Sequence, residues 1–300
     1  MTRIDTADRK GGASFRINRG KYLRRKAVDA IMGALCTLAA VVGLIFLGLI
    51  LITLLAKGAP GLSLDLFTNS MKTPGQHGGL ANAIVGTLMQ VVLGTLVGAP
   101  LGIAIGVYLA EIGRNGRLAS VIRFVNDILL SAPSVLIGLF VYQIAVRPMG
   151  GFSALAGALA LALIAMPVIA RTTEDIIRLI PDAYREGSVA LGARPSTTIL
   201  KVVLPAASGG ILTGILLAVA RISGETAPLI VTSLGNFNWN FDLTRATASL
   251  PMAIYRYASS PYAEWKNLAW AGALVITLGV LLLNIASRVS LHLTSKSKAS

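Results

Sequence analysis

Charge is scarce in this 300-residue sequence: Asp, Glu, Lys and Arg together make up 13% of it, where soluble domains approach a quarter. With 54% hydrophobic side chains and a mean hydropathy of +0.72, most of the chain belongs in lipid. A single cysteine, Cys36, excludes an intrachain disulfide, and its place inside an apolar run predicts packing as a small hydrophobe. The two histidines, His77 and His292, are isolated, so no metal site is expected. No Gly-x-x-x-x-Gly-Lys-Ser/Thr phosphate loop occurs, and Ser, His and Asp form no recognisable nucleophile system. The chain is therefore expected to bind no cofactor, to have no catalytic activity alone, and to draw any energy from another chain.

Acidic residues are also in the minority, 13 against 27 Lys and Arg, for a net charge of +14. Such an excess points to nucleic acid when the basic residues share a soluble face, but here they fall between apolar runs. A hydrocarbon layer about 30 Å thick takes about 20 residues at a helical rise of about 1.5 Å. Six runs qualify: 28–56, 80–110, 121–146, 152–170, 206–234 and 268–287. In the connections, twenty Lys and Arg lie on the side of the two termini. Six lie on the other: Lys57, Lys72, Arg147, Arg245, Arg256 and Lys266; Arg221, inside a run, completes the 27. Positive charge is retained in the cytoplasm, so both termini are expected inside, and topology accounts for the charge without nucleic acid.

The expected fold class is an all-α integral membrane protein with six transmembrane helices. Residues 1–27 form a basic cytoplasmic tail, 28–56 the first span, 79–287 a domain of spans two to six, and 288–300 a cytoplasmic tail. The tail, with Gly11 and Gly12 and no apolar periodicity, is expected to be mobile and to meet anionic headgroups. The run 28–56 is too long for a secretory leader and lacks a small-residue cleavage pattern, so it should remain as an anchor.

The cytoplasmic connection 171–204 is far longer than joining two spans requires. Its stretch 182–191 mixes Ala183, Val189 and Ala190 with Asp182, Arg185 and Glu186, and Ala193-Arg194-Pro195 interrupts before 196–203. This predicts two short helices at an angle, ended by Pro205. Such a pair fits a groove on a soluble partner; an amphipathic helix lying on the headgroups fits the same spacing. Alone, Glu186 reads equally as an exposed charge opening a helix.

Within span five, Arg221 and Glu225 stand four apart on one helical face, the one pair of opposite charges deep in an apolar run. A charge at that depth faces protein or water, which makes the pair either a pathway element or an ion pair that fixes packing. Gly224 and Pro228 bracket it and predict a kink or unwound turn. A planar guanidinium suits a tetrahedral oxyanion held by two bonds, although it does not separate phosphate from sulfate. Arg171, with Glu174 three residues on, marks the inner end of span four, and Asp127 is expected as a satisfied polar residue at a helix interface. Trp239, Phe241, Tyr255, Tyr257, Tyr262 and Trp265 populate the long outer connection, as an interfacial belt, a docking surface, or both.

Glu186-Gly187-Ser188, Gly192 and Val202-Val203-Leu204-Pro205 resemble the cytoplasmic loop signature of bacterial ABC-importer permeases: Glu-Ala-Ala, three residues, Gly, nine residues, Ile-x-Leu-Pro. Glu186, Gly192, Leu204 and Pro205 match at the family spacing; Val202 replaces Ile, and Gly187 and Ser188 replace the alanines. Arg221 to Pro228, Arg171-Thr172-Thr173-Glu174-Asp175, Leu130-Ser131-Ala132-Pro133-Ser134 and Ser260-Pro261-Tyr262-Ala263-Glu264-Trp265 resemble the permease subunits of the phosphate-specific importer, the last being similar to the A-type subunit.

The resemblance implies the type I ABC importer permease fold, with cytoplasmic coupling helices over 182–205, in a bacterial cytoplasmic (inner) membrane. It also implies inorganic phosphate as substrate and four kinds of partner: a homologous second permease, two ATP-binding cassette subunits that bind the ATP, an extracytoplasmic phosphate-binding protein, and the lipid bilayer. Glu186, Gly192, Leu204 and Pro205 would couple to the ATPase, with Gly192 allowing close approach. Arg221, Glu225, Arg171 and Glu174 would line the substrate pathway. The competing readings are a permease for sulfate or molybdate, an ion-coupled transporter, for which only Glu225 and Asp127 supply intramembrane carboxylates, and a membrane scaffold.

Overall fold

The computed structural model describes residues 19–114 and 116–297, with side chains from 20 to 285. The expectations for residues 1–18 and for the surroundings of His292 lie outside the described residues. Thirteen helices follow one another among them: α1 (Arg19–Gly58), α2 (Leu64–Thr68), α3 (Ala81–Val107), α4 (Arg117–Ser131), α5 (Ser134–Val141), α6 (Arg147–Met149), α7 (Ala154–Arg178), α8 (Asp182–Ala190), α9 (Pro195–Thr198), α10 (Leu204–Ser223), α11 (Ala227–Ile230), α12 (Leu250–Ala258) and α13 (Ala263–Ser297). Wide π-helical turns extend α3 through Tyr108–Ile112, join α5 to α6 through Tyr142–Val146, and join α9 to α10 through Ile199–Val203. Five helical segments are long and apolar enough to cross a membrane, and the bent pair α4 and α5–α6 makes a sixth.

Two compact units divide the chain, Met1–Thr53 and Leu54–Ser300. In the first, α1 begins at Arg19, so the last residues of the expected basic tail are already helical. Cys36 is exposed on it, contrary to the expected packing, because a lone helix in this unit has no second layer to bury it.

The second unit is organised around α3 and α7. Gly94, Gly98, Gly102 and Gly106 recur every fourth residue along one stripe of α3. A methyl group on each would lie 3.0, 3.0, 2.8 and 2.7 Å from the carbonyl oxygens of Ala158, Ala162, Met166 and Ala170. Both series ascend together, so α3 and α7 run parallel, backbone against backbone, with a close approach that only small residues permit in lipid. Leu161, Ile164, Ala165 and Ile169 fill the flanks of this contact. α10 then packs antiparallel on α7, with Gly210 against Ile176 and Gly214 against Thr172.

Parallel packing decides the path of the third span. Near the start of α3, the Asn82 amide donates to the Asn236 and Phe237 carbonyls at 3.1 and 3.0 Å. At the start of α7, the amides of Ser153, Ala154 and Leu155 donate to Thr232, Arg245 and Leu243, all at 3.0 Å. Both helices therefore begin against the same outer segment, and α4 to α6 must return the chain across the membrane. They do so with a bend of 107° within the span expected over 121–146. Pro133 is the reason: it lacks an amide hydrogen and holds Ala132 in extended backbone (φ −65°, ψ 137°).

The outer connections close over this bundle. Leu66, Met71, Leu80, Ala253 and Tyr257 form one buried cluster. Tyr257 stacks on Trp265 at 4.5 Å between centroids, so these two of the six outer aromatics serve the core, whereas Trp239 and Phe241 stack on each other at 5.8 Å and stay exposed. Burial also pushes the Tyr257 phenol up to about 12.

Gly102→Val should place a branched side chain against the Met166 carbonyl and cost about 1–3 kcal/mol through overpacking. The purified protein should melt earlier and assemble poorly, whereas Gly43→Val, with nothing near its added carbon, should melt with the parent.

Candidate functional site

On the cytoplasmic side, α8 follows Pro181 and ends at Gly192. Two bonds close it, from the Gly192 amide to Val189 O at 2.8 Å and from the Ala193 amide to Ser188 O at 3.1 Å. This closure needs a left-handed residue, and Gly192 supplies it at φ +79°. Among the described residues no atom lies within 4 Å of where its Cβ would be, so within the chain the glycine answers a backbone requirement. The Ser188 and Thr198 hydroxyls meet at 2.9 Å and fasten α8 to the next element.

That element corrects the expectation of a second separate helix ended by Pro205. The helix runs unbroken over Pro195–Ser223. Pro205 sits in the first turn of α10, directly after the π-helical turn, whose wider spacing absorbs the missing amide. α8 is thus joined through Ser188 and Thr198 to the helix that continues as span five. Glu186 is exposed, as are the apolar side chains of Tyr184, Val189, Leu191 and Leu200, with Leu191 91% exposed. Exposed apolar surface of this kind suits a contact with another protein or with a membrane surface.

Neither Glu111 nor Arg185 stands out in the sequence, yet they hold this knob to the bundle. The Arg185 guanidinium donates to Glu111 at 2.6, 3.1 and 3.2 Å, to the carbonyls of Ile177 and Ile180 at 3.1 and 2.8 Å, and to Asp182 at 3.2 Å. One side chain therefore joins α8 to the inner ends of spans two and four, saturating its donors in a largely buried place. The bonds from Glu111 raise the Arg185 pKa above its ordinary value, against the opposing effect of burial.

Glu174 is buried and receives Arg123 of α4 at 2.8 Å and Arg178 at 2.7 Å. It does not pair with Arg171: three residues apart on α7, the two point to different neighbours. Arg171 instead faces Asp175 at 3.4 Å and Asp127 at 4.0 Å, and all three are about half exposed. Asp127 is accordingly not the interface residue expected, because α4 turns it out of the bundle toward Arg171.

Arg221 and Glu225 approach to 3.9 Å, a loose pair. α10 stops at Ser223, Gly224 caps it, and the chain resumes as α11, which confirms the break beside the charges. Gly214, Ala218 and Ile222 form the buried stripe of α10, while Thr213, Leu217 and Arg221 form an exposed one. Arg221 is 42% exposed within an apolar span, where a charge is suited to protein or water and not to lipid.

A glycine-packed bundle of apolar spans, with a short projecting helix at one end and an arginine at a helix break, has the make-up of a membrane permease. Residues 102–296 match the binding-protein-dependent transport system inner membrane component family, and the chain belongs to it. It is a multi-pass protein of the inner membrane. Relatives include the phosphate transport system permease protein PstA of Yersinia pestis, 50% identical over 288 residues (95% of this chain and 97% of the relative). Another is PstA of Haemophilus influenzae, 49% identical over 90% of this chain and 95% of its own. Among solved structures, an ABC transporter for import of the acidic polysaccharide alginate aligns at a TM-score of 0.61 with 17% identity, over 89% of this chain and 98% of that one. The inward-facing MetNI methionine ABC transporter aligns at 0.57 with 21% identity, over 70% and 92%. These two share the fold.

Glu111→Gln should free α8 by about 1.5–3 kcal/mol, the value of hydrogen bonds to a charged group. Amide exchange across 182–191 should then accelerate while that of α3 and α7 is unchanged. The double reversal Glu111→Arg with Arg185→Glu should recover part of the protection.

Proposed function

We propose that this chain is the permease subunit of an ATP-driven importer that moves inorganic phosphate inward by alternating access. The observation that carries this reading is identity near 50%, across nine-tenths or more of the chain, with permeases named for phosphate transport. Arg221 supports it chemically, as a guanidinium left uncovered at membrane depth beside a helix break.

Two ATP-binding subunits bind and hydrolyse ATP and seat α8 in a groove, with Glu186 and Leu191 at the contact. Their closure tilts α8. Because Arg185 ties α8 to Glu111 and to the end of α7, and Ser188 ties it to the helix continuing as span five, spans two, four and five move together. A second permease faces the Thr213, Leu217 and Arg221 stripe, so the pathway lies between the two subunits. There Arg221 takes the anion while Glu225, already at a loose 3.9 Å, yields it. Arg171 serves the inner exit, where Asp127 and Asp175 compete with the anion and favour its release, and Glu174 holds the frame of that exit through Arg123 and Arg178. An extracytoplasmic phosphate-binding protein delivers the substrate at the outer face, where Trp239 and Phe241 are exposed.

In the assembled complex, Arg221→Gln should abolish phosphate uptake, a loss of tenfold or more for one charge-assisted contact of about 1.5–3 kcal/mol, with the subunits still co-purifying. Near-normal uptake would make the ion pair structural, and ATP hydrolysis stimulated by sulfate-loaded in place of phosphate-loaded binding protein would reassign the substrate. Cysteine placed at Leu191 should crosslink to an ATP-binding subunit in an ATP-dependent way; an unchanged yield with and without ATP would remove α8 from the coupling path.

A further inference from the structure

Basic residues are rare on the outer side, six against twenty inside, and two of the six, Lys57 and Lys266, line one cavity. The cavity measures about 490 Å³ and is walled by Lys57, Pro60, Gly61, Lys266, Asn267 and Trp270. Its walls are fixed. A methyl group at Gly58 would come 2.8 Å from the Trp270 carbonyl, and one at Gly61 would come 2.9 Å from the Ala271 Cβ and 3.1 Å from the Asn267 carbonyl. The end of α1 is thereby clamped to the first turns of α13. The Lys57 ammonium lies 5.1 Å above the Trp270 ring, which restrains a side chain that would otherwise sample solvent.

No carboxylate lines the cavity, and among the described residues neither lysine forms an ion pair with one. Glu264, the nearest acid along α13, accepts the Gly75 amide at 3.2 Å, and Gly75 is not part of the lining. Two uncompensated cations, an amide side chain and an aromatic face are thus held together at the outer end of two spans, the depth at which tryptophan settles between hydrocarbon and water. Lysine ammoniums act on phosphate as point charges, and basic clefts between membrane helices are suited to lipid headgroups.

We propose that this cavity is a binding site for a phosphate group, carried by the headgroup of an anionic phospholipid of the outer leaflet or by free inorganic phosphate. The site is separate from Arg221 and holds its ligand at the seam between the first and last spans.

The assembled complex, washed of loosely bound lipid and titrated with phosphatidylglycerol, phosphatidylcholine or inorganic phosphate, tests this by native mass spectrometry. The parent should retain phosphatidylglycerol over phosphatidylcholine if a lipid is the source, or show saturable inorganic phosphate that persists in Arg221→Gln if the free anion is. Lys57→Gln with Lys266→Gln should weaken that binding roughly thirtyfold, about fivefold for each lysine at a membrane surface, while Lys72→Gln, on the same side but outside the cavity, should leave it unchanged. Should the double variant fail to assemble, Lys57→Arg with Lys266→Arg, which keeps both charges, should bind as the parent does. Equal retention of both lipids with no phosphate binding at the cavity overturns the proposal, as does unchanged affinity in the glutamine variant.

Discussion

Close packing of α3 on α7 is the constraint from which the rest of the structure follows. Lipid provides no hydrophobic drive between helices, so their association depends on shape, and four glycines in register let one backbone rest on the carbonyls of another. This contact sets the two helices parallel. Parallel helices joined in sequence need a return crossing between them, and the bent pair around Pro133 provides it. α10 then lies antiparallel on another face of α7, with glycines again at the contact.

Polar bonds at the two ends of this bundle divide the work. At the outer end, Asn82 and the first amides of α7 fix the loop 232–250, leaving a rigid cap with aromatic residues both inside and on its surface. At the inner end, Arg185 joins α8 to spans two and four, and Arg123 with Glu174 joins span three to span four. A buried guanidinium with every donor engaged is costly to displace, which fixes α8 to the helix ends beneath it. Tyr184 and Val189 on α8 stay exposed.

The arginines fall into two environments. Arg185 and Arg123 are drawn into the protein by carboxylates and carbonyls, whereas Arg171 and Arg221 remain about half exposed and loosely paired at 3.4 to 4.0 Å. A loosely paired guanidinium is available to an anion; a saturated one is not. The two groups have the same chemistry, and sequence position does not tell them apart.

The membrane class and the apolar runs that supply the crossings were legible in the residues alone, because run length and hydropathy are local properties of the chain. The helix break beside Arg221 was equally legible in Gly224 and Pro228. The Gly-x-x-x-Gly spacing of α3 was present too, but its meaning depends on which helix lies opposite. Only the tertiary structure decided that Glu174 belongs to Arg123, that Asp127 turns outward to Arg171, and that Glu111 receives Arg185 from 74 positions away. It also decided that the helix passes through Pro205, since a π-helical turn ahead of a proline leaves no mark in composition. Ion pairs across helices are set by rotation and register, and these follow from backbone contact at the glycine ridge.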